Sequence, residues 1–233
     1  MAVIHKTTMT PGKLELLGVW LPAQPWYIGT AREPELTKAG GFRLDDPQGE
    51  VGIEFMVVTD RSGDRPLSYH VPLTYRGAPL DGADQALIGT SEHGVLGRRW
   101  VYDGTRDPVL VAQLLALLQG RAEPQAQSAT NTPDPTVTNY FRGAGFSAVV
   151  ASADVTDGQH GTDIGVETTA DADPQHESAG RPLIIRVTRV LMPDQQPPGT
   201  DTAGARGYVT AGWRLPDGDE GRGPFVVLYD AAR

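Results

Sequence analysis

The side chains able to hold a sugar or a phosphate are scattered along this chain rather than gathered in one motif. Trp20, Trp26, Tyr27, Trp100, Tyr102 and Trp213 are large and flat. Such rings can take the C–H face of a sugar while carboxylates take its hydroxyls, which makes a sugar-binding surface one reading of the set. Packing is the other, because four tryptophans in 233 residues are what a core uses anyway. Two cations, Arg186 and Arg189, fall in the strand-like run Leu183-Ile184-Ile185-Arg186-Val187-Thr188-Arg189-Val190-Leu191. Their odd spacing sends them to opposite faces of a strand, so they form no single basic patch. They are expected to be solvated side chains of an ordinary sheet.

The histidines are His5, His70, His93, His160 and His176. None is paired with another at helical spacing, and His93 reads as a polar turn residue in Ser91-Glu92-His93-Gly94. His160 and His176 lie among Asp154, Asp157, Asp163, Asp171 and Asp173, without the spacing of a calcium loop. Gly143-Ala144-Gly145-Phe146-Ser147 lacks the third glycine and the lysine of a phosphate-cradling loop and reads as a turn. No catalytic residue, cofactor site or metal site is singled out, and no cofactor is expected.

These residues need a scaffold, and composition bounds it. A net charge of −9 argues against nucleic acid and anionic membrane surfaces as partners. The absence of cysteine removes disulfides, thiolate metal sites and thiol nucleophiles. No stretch suits a signal segment or approaches the ~20 apolar residues of a membrane span, so a cytoplasmic protein is expected. Gly 28 and Pro 19 point to many turns rather than a helical bundle.

The elements follow from local pattern. Thr10-Pro11 is expected to open a helix whose stripe is Leu14, Leu17 and Leu21, ended by Pro22 and Pro25. Val51 to Val58 and Leu67 to Tyr75 read as a hairpin, followed by a strand pair at Gln85–Gly89 and Gly97–Tyr102. Asp107 and Pro108 start an almost wholly apolar helix to Leu118, stopped by Gly120. It must be buried on more than one face, and the expected place is between the sheet and the N-terminal helix. Residues 121–135 read as a linker or loop. Gly145–Val155 and Pro182–Leu191 read as strands, 156–180 as a mobile acidic loop, and Tyr208–Leu215 with Pro224–Tyr229 as a terminal hairpin.

The order of several segments resembles the N-terminal cap of actinobacterial maltokinases. The resemblance rests on Leu14-Glu15-Leu16-Leu17-Gly18-Val19-Trp20-Leu21-Pro22, then Trp26-Tyr27, Tyr69-His70-Val71-Pro72-Leu73-Thr74-Tyr75, Ala86-Leu87-Ile88-Gly89-Thr90 and Val101-Tyr102-Asp103. In the second half, Leu183 to Leu191 is similar to the kinase N-lobe strand that carries the phosphate-holding lysine, with Arg186 at the lysine position. Arginine is a poor replacement for a point-charge donor. The chain ends at Arg233 without the metal-binding groups of phosphoryl transfer, so the catalytic lobe is expected to be absent. The resemblance implies an α+β fold: an antiparallel-strand-rich cap domain with a few helices over 1–120, a linker or loop over 121–135, and a degenerate kinase-N-lobe-like β-sheet over 136–233. It implies a non-catalytic accessory or regulatory protein of α-glucan and trehalose metabolism, with a kinase-like or glucan-metabolising enzyme as partner. The alternative is a small-molecule or glucan-binding protein, or an enzyme, with a pocket between two sheets. Trp26, Tyr27, Trp100, Arg186 and Arg189 are the expected ligand or partner surface.

Overall fold

A computed structural model of the chain describes residues 8–29, 32–128, 132–143, 147–149, 154–159, 161–169, 182–196 and 205–231. In chain order these form β1 (Met9–Thr10), α1 (Lys13–Trp20), β2 (Leu36–Leu44), β3 (Gly52–Asp60), β4 (Leu67–Arg76), β5 (Leu87–His93), β6 (Gly97–Asp103), α2 (Pro108–Leu118), β7 (Gln125–Ala126), β8 (Thr138–Phe141), β9 (Ser147–Val149), β10 (Val155–Gly158), β11 (Gly161–Thr169), β12 (Pro182–Val187), β13 (Val190–Leu191), β14 (Ala205–Arg214) and β15 (Glu220–Asp230). Among the described residues the two α-helices have 8 and 11 residues, and every strand pairing is antiparallel. The fold is therefore mainly β with few helices: the expected antiparallel-strand-rich architecture is present, with less helix than an α+β class implies. No helix among these residues is long and apolar enough to cross a membrane.

The sheet runs in the order β1-β5-β6-β4-β3-β2-β14-β15-β12-β11-β10. It also returns on itself, because β13 follows β12 almost directly and pairs with β4 through Val190 opposite Tyr69 and Leu191 opposite Ser68. The strands β4, β3, β2, β14, β15 and the β12–β13 segment thus make a closed ring. One corner is at Gly40-Gly41, where β2 bulges against β3 and meets Trp213 of β14. Gly41 has φ +124°, and a Cβ there would lie 2.0 Å from the Phe55 carbonyl oxygen, so no larger residue fits.

β3 is buried on both faces, and its alternation divides the interior. Ile53, Phe55 and Val57 point into the ring with Phe42, Val187, Val209, Trp213 and Phe225. Met56 and Val58 point the other way, to Leu17 and Leu21 at the α1 end, with Trp26 and Tyr69. α2 starts as expected: Asp107 accepts from Val109 N at 2.9 Å, and Pro108 is the first helical residue. Its leucines, however, pack with the ring interior, on the face of β3 opposite α1. The expectation that α2 separates the sheet from α1 is overturned by this period of two. Leu114→Ala should cost about 2–5 kcal/mol in urea unfolding, since Leu114 is 0% exposed. An unchanged midpoint would mean that α2 is peripheral.

Three further boundaries differ from the sequence reading. Thr10 does not cap α1, because it is taken into β1 opposite Glu92. The helix starts at Lys13, and the Glu15 carboxylate accepts from Gly12 N at 2.6 Å. Residues 155–158 and 161–169 form the β10–β11 hairpin rather than an acidic loop, with Ile164 and Val166 buried. Ring strands supply enough apolar contact there to order a polar-looking segment. The rest of the expected loop, 170–180, lies outside the described residues, as do His5, His160 and His176. Gln125-Ala126, expected in a linker, pairs with Phe42-Arg43.

Candidate functional site

The strand expected over Pro182–Leu191 breaks at Thr188-Arg189, where the chain leaves β15 for β4. Thr188 N donates to Phe225 O at 2.9 Å, and His70 N donates to Arg189 O at 2.9 Å. One edge of β4 is shared: β6 pairs with Leu73–Arg76 and β13 with Ser68–Tyr69. Arg189 fills the gap between them. Its side chain is 0% exposed, a correction to the expected solvated arginine. Nη2 donates to Asp103 Oδ2 at 2.5 Å, and Nε to Thr162 Oγ1 at 2.7 Å. The guanidinium carbon lies 4.8 Å from the centre of the Trp26 ring. Nη1 has no hydrogen-bond partner among the described residues. Asp103 also accepts from Thr105 N and Oγ1. The junction therefore ties the ends of β6, β11 and β13 through one buried ion pair.

His70 lines the inside of the same junction. Its Nδ1 lies 3.0 Å from the Thr188 carbonyl, which makes that nitrogen the donor. Its ring packs 4.5 Å from Phe225 and 5.9 Å from Phe55, centre to centre. Burial, and then the Arg189 charge, push its pKa down to about 3. The imidazole is neutral through the ordinary pH range, so it is no general acid there. Among the described residues no group of three His, Asp or Glu could hold a metal ion.

A second polar centre lies on the α1 side. Glu54 of β3 lies on that face, 3% exposed. Lys13 Nζ and Tyr75 OH donate to Glu54 Oε2 at 2.5 Å each, and Gln127 Nε2 to Oε1 at 2.6 Å. Burial raises the pKa of Glu54, but the Lys13 charge and the three donors outweigh it and hold it below the usual carboxylate value. An ionised carboxylate with both oxygens engaged is poorly placed to take a proton from a substrate.

The five residues singled out from the sequence do not share a surface. Trp26 is 1% exposed, against Trp20, Tyr69 and Arg189. Tyr27 donates to Asp60 Oδ2 at 2.7 Å, and burial followed by that carboxylate raises its pKa well above the ordinary value. Trp100 sits half-buried in a satellite cluster with Leu80, Ala83, Ala86, Leu87 and Tyr102. Arg186 is exposed on the outer face of β12, with Nε and Nη2 each 2.7 Å from one oxygen of Asp163. The sequence reading brought Trp26 and Arg189 into one set, and they do meet, but inside the fold. It gave no site role to Asp103, His70 and Glu54. The signal for the last two was a polar residue inside an otherwise apolar strand.

The segment from the end of α1 to the Asp107 cap of α2 is the part with family likeness. Residues 20–107 match the maltokinase N-terminal cap domain. That segment is thus similar to a maltokinase cap. The matched span is under half of the chain. It includes Trp26, Glu54, His70 and Asp103, while Arg189 and Thr162 come from outside it. The buried ion pair thus joins the matched segment to the strands that follow.

Proposed function

We propose that this protein is a non-catalytic accessory or regulatory module related to the maltokinase cap, acting in α-glucan and trehalose metabolism through a partner enzyme that is kinase-like or glucan-metabolising. The match over residues 20–107 carries the reading. It is supported by the state of the buried charges at the two polar centres: Glu54 by Lys13, and Arg189 by Asp103. Each is paired within the fold, which is how structural charges are held. We also read β11, β12, β14 and β15 as a degenerate kinase-N-lobe-like sheet. Arg186 stands there at the resembled lysine position and is engaged by Asp163. A pocket between the sheets is disfavoured as the alternative, because Phe42, Phe55, His70, Trp213 and Phe225 fill the ring.

Two measurements test the proposal together. The purified chain with ATP and maltose should release ADP no faster than a blank. Immobilised on beads, it should capture a kinase-like or glucan-metabolising enzyme identified by mass spectrometry. Sugar-dependent ADP release that Arg186→Ala abolishes would replace this reading with a kinase.

A further inference from the structure

The first half of the ring has its outer face covered by α1 and Trp26. The second half carries a different outer face. Along β14, Val209, Ala211 and Trp213 point into the ring, so Tyr208 and Thr210 point out. On β8 the residues directly opposite are Tyr140 and Thr138. The two tyrosine rings are stacked, 5.3 Å apart and 25° from parallel, and both are half-exposed. Thr138 and Thr210 join hydroxyls at 2.8 Å, and Arg222 Nη2 donates to each at 2.7 Å. Across β15 the same face continues as Tyr229, beside the buried Val227, and, on β12, as Ile184 and Arg186. The Arg186 guanidinium lies 5.5 Å from the Tyr229 ring centre. Asp163 holds Arg186 on this face, while Arg206 lies 3.4 Å from Asp230, which shares the alternation of the inward Val226 and Leu228.

We propose that this outer face of β8, β14, β15 and β12 binds a chain of neutral hexopyranose rings. Half-exposed tyrosine rings, two of them stacked on each other, leave apolar ring surface on which a pyranose lays its C–H face. Each sugar hydroxyl both donates and accepts, and the rim supplies both kinds of partner: guanidinium donors, carboxylate acceptors and threonine hydroxyls. An anionic ligand fits less well. Arg186 and Arg206 already have carboxylate neighbours, and Asp163 would repel a phosphate. Three inter-strand gaps of about 4.8 Å make a platform about 14 Å across, so an oligosaccharide rather than one ring spans it. The proposal deepens the accessory reading above by assigning the module its own glycan contact, and it rests on that reading for the choice of an α-linked glucan.

The test is calorimetric titration of the full chain with maltoheptaose, with cellohexaose and a short single-stranded oligonucleotide as the other arms. Maltoheptaose should bind, and Tyr140→Ala and Tyr208→Ala should each weaken it by about tenfold or more while the melting temperature stays within a few degrees. Tyr208→Phe should retain binding, because the ring rather than the hydroxyl is required. Absence of maltoheptaose binding at millimolar concentration overturns the proposal. So does binding of the oligonucleotide in its place, or maltoheptaose binding that the double alanine variant keeps. Cellohexaose binding as tight as maltoheptaose binding would overturn the choice of linkage. Capture of a partner enzyme by the double variant, together with lost glucan binding in it, leaves the accessory reading intact and separates the two outcomes.

Discussion

Arg189→Met should lower the unfolding free energy by about 3–5 kcal/mol, because it strands the Asp103 carboxylate in a dry junction. Asp103 is 4% exposed and would keep only the donors of Thr105. The arginine also closes the gap on β4 between β6 and β13, so its loss opens a seam where strands from outside the matched segment join it. The control is Arg189→Met combined with Asp103→Asn. Asparagine keeps the acceptor for Thr105 and removes the charge, so the double variant should recover a large part of the loss. Urea unfolding of the two single variants and the double variant measures the cycle. A cost below about 1 kcal/mol for Arg189→Met would mean that water reaches the junction and that the pair behaves as a surface contact.

The second large effect is on acid stability. The folded pKa of His70 is about 3, against 6.5 for the free side chain. Between these values the unfolded chain binds a proton that the folded chain refuses. Stability is therefore intact above about pH 6.5 and falls as the pH drops, by up to ~1.4 kcal/mol per pH unit. Carried down to pH 3, this one site contributes a loss of about 5 kcal/mol. Glu54 and Asp60 have lowered folded values, despite the opposing effect of burial. Their contributions are lost only as the pH falls below the usual carboxylate range, which leaves pH 5 to 6.5 as the window of His70. His70→Gln keeps a donor for the Thr188 carbonyl and removes the titration. Its urea-derived stability should be flatter than that of the parent across that window. Equal slopes in the two proteins would show that His70 is protonated in the folded state.

The elements were largely legible, each for a local reason. The Asp107–Pro108 start and the Gly120 end of α2 are capping chemistry, and the structure has the helix at Pro108–Leu118 with Gly120 at φ +70°. Leu17 in α1 and Leu21 just beyond its end are buried, as the apolar stripe requires. The β14–β15 hairpin and the β3–β4 pair follow from alternation and turn residues. Where the reading failed, a distant strand had intervened. Thr10 went to β1 rather than to a cap, 161–169 was ordered by β12, and Gln125 was drawn to β2.

The candidate sites were less legible, because side-chain environment depends on pairs far apart in sequence. From the residues alone one could read strand-rich architecture, both helices, an acidic chain without cysteine, and the order of segments that resembles a maltokinase cap. Nothing local distinguishes Arg186 from Arg189, yet one lies on the outer face and the other is wholly enclosed. The difference is made by ring closure through β13 and β4, which puts Asp103, Thr162 and Trp26 around Arg189. The same closure turns His70 inward to be desolvated, and sends Tyr140 and Tyr208 to a common outer face. Local propensity and spacing determined what each segment is. Register between strands as far apart in sequence as Gly40 and Trp213 decided which side chains are dry, paired or open to a ligand.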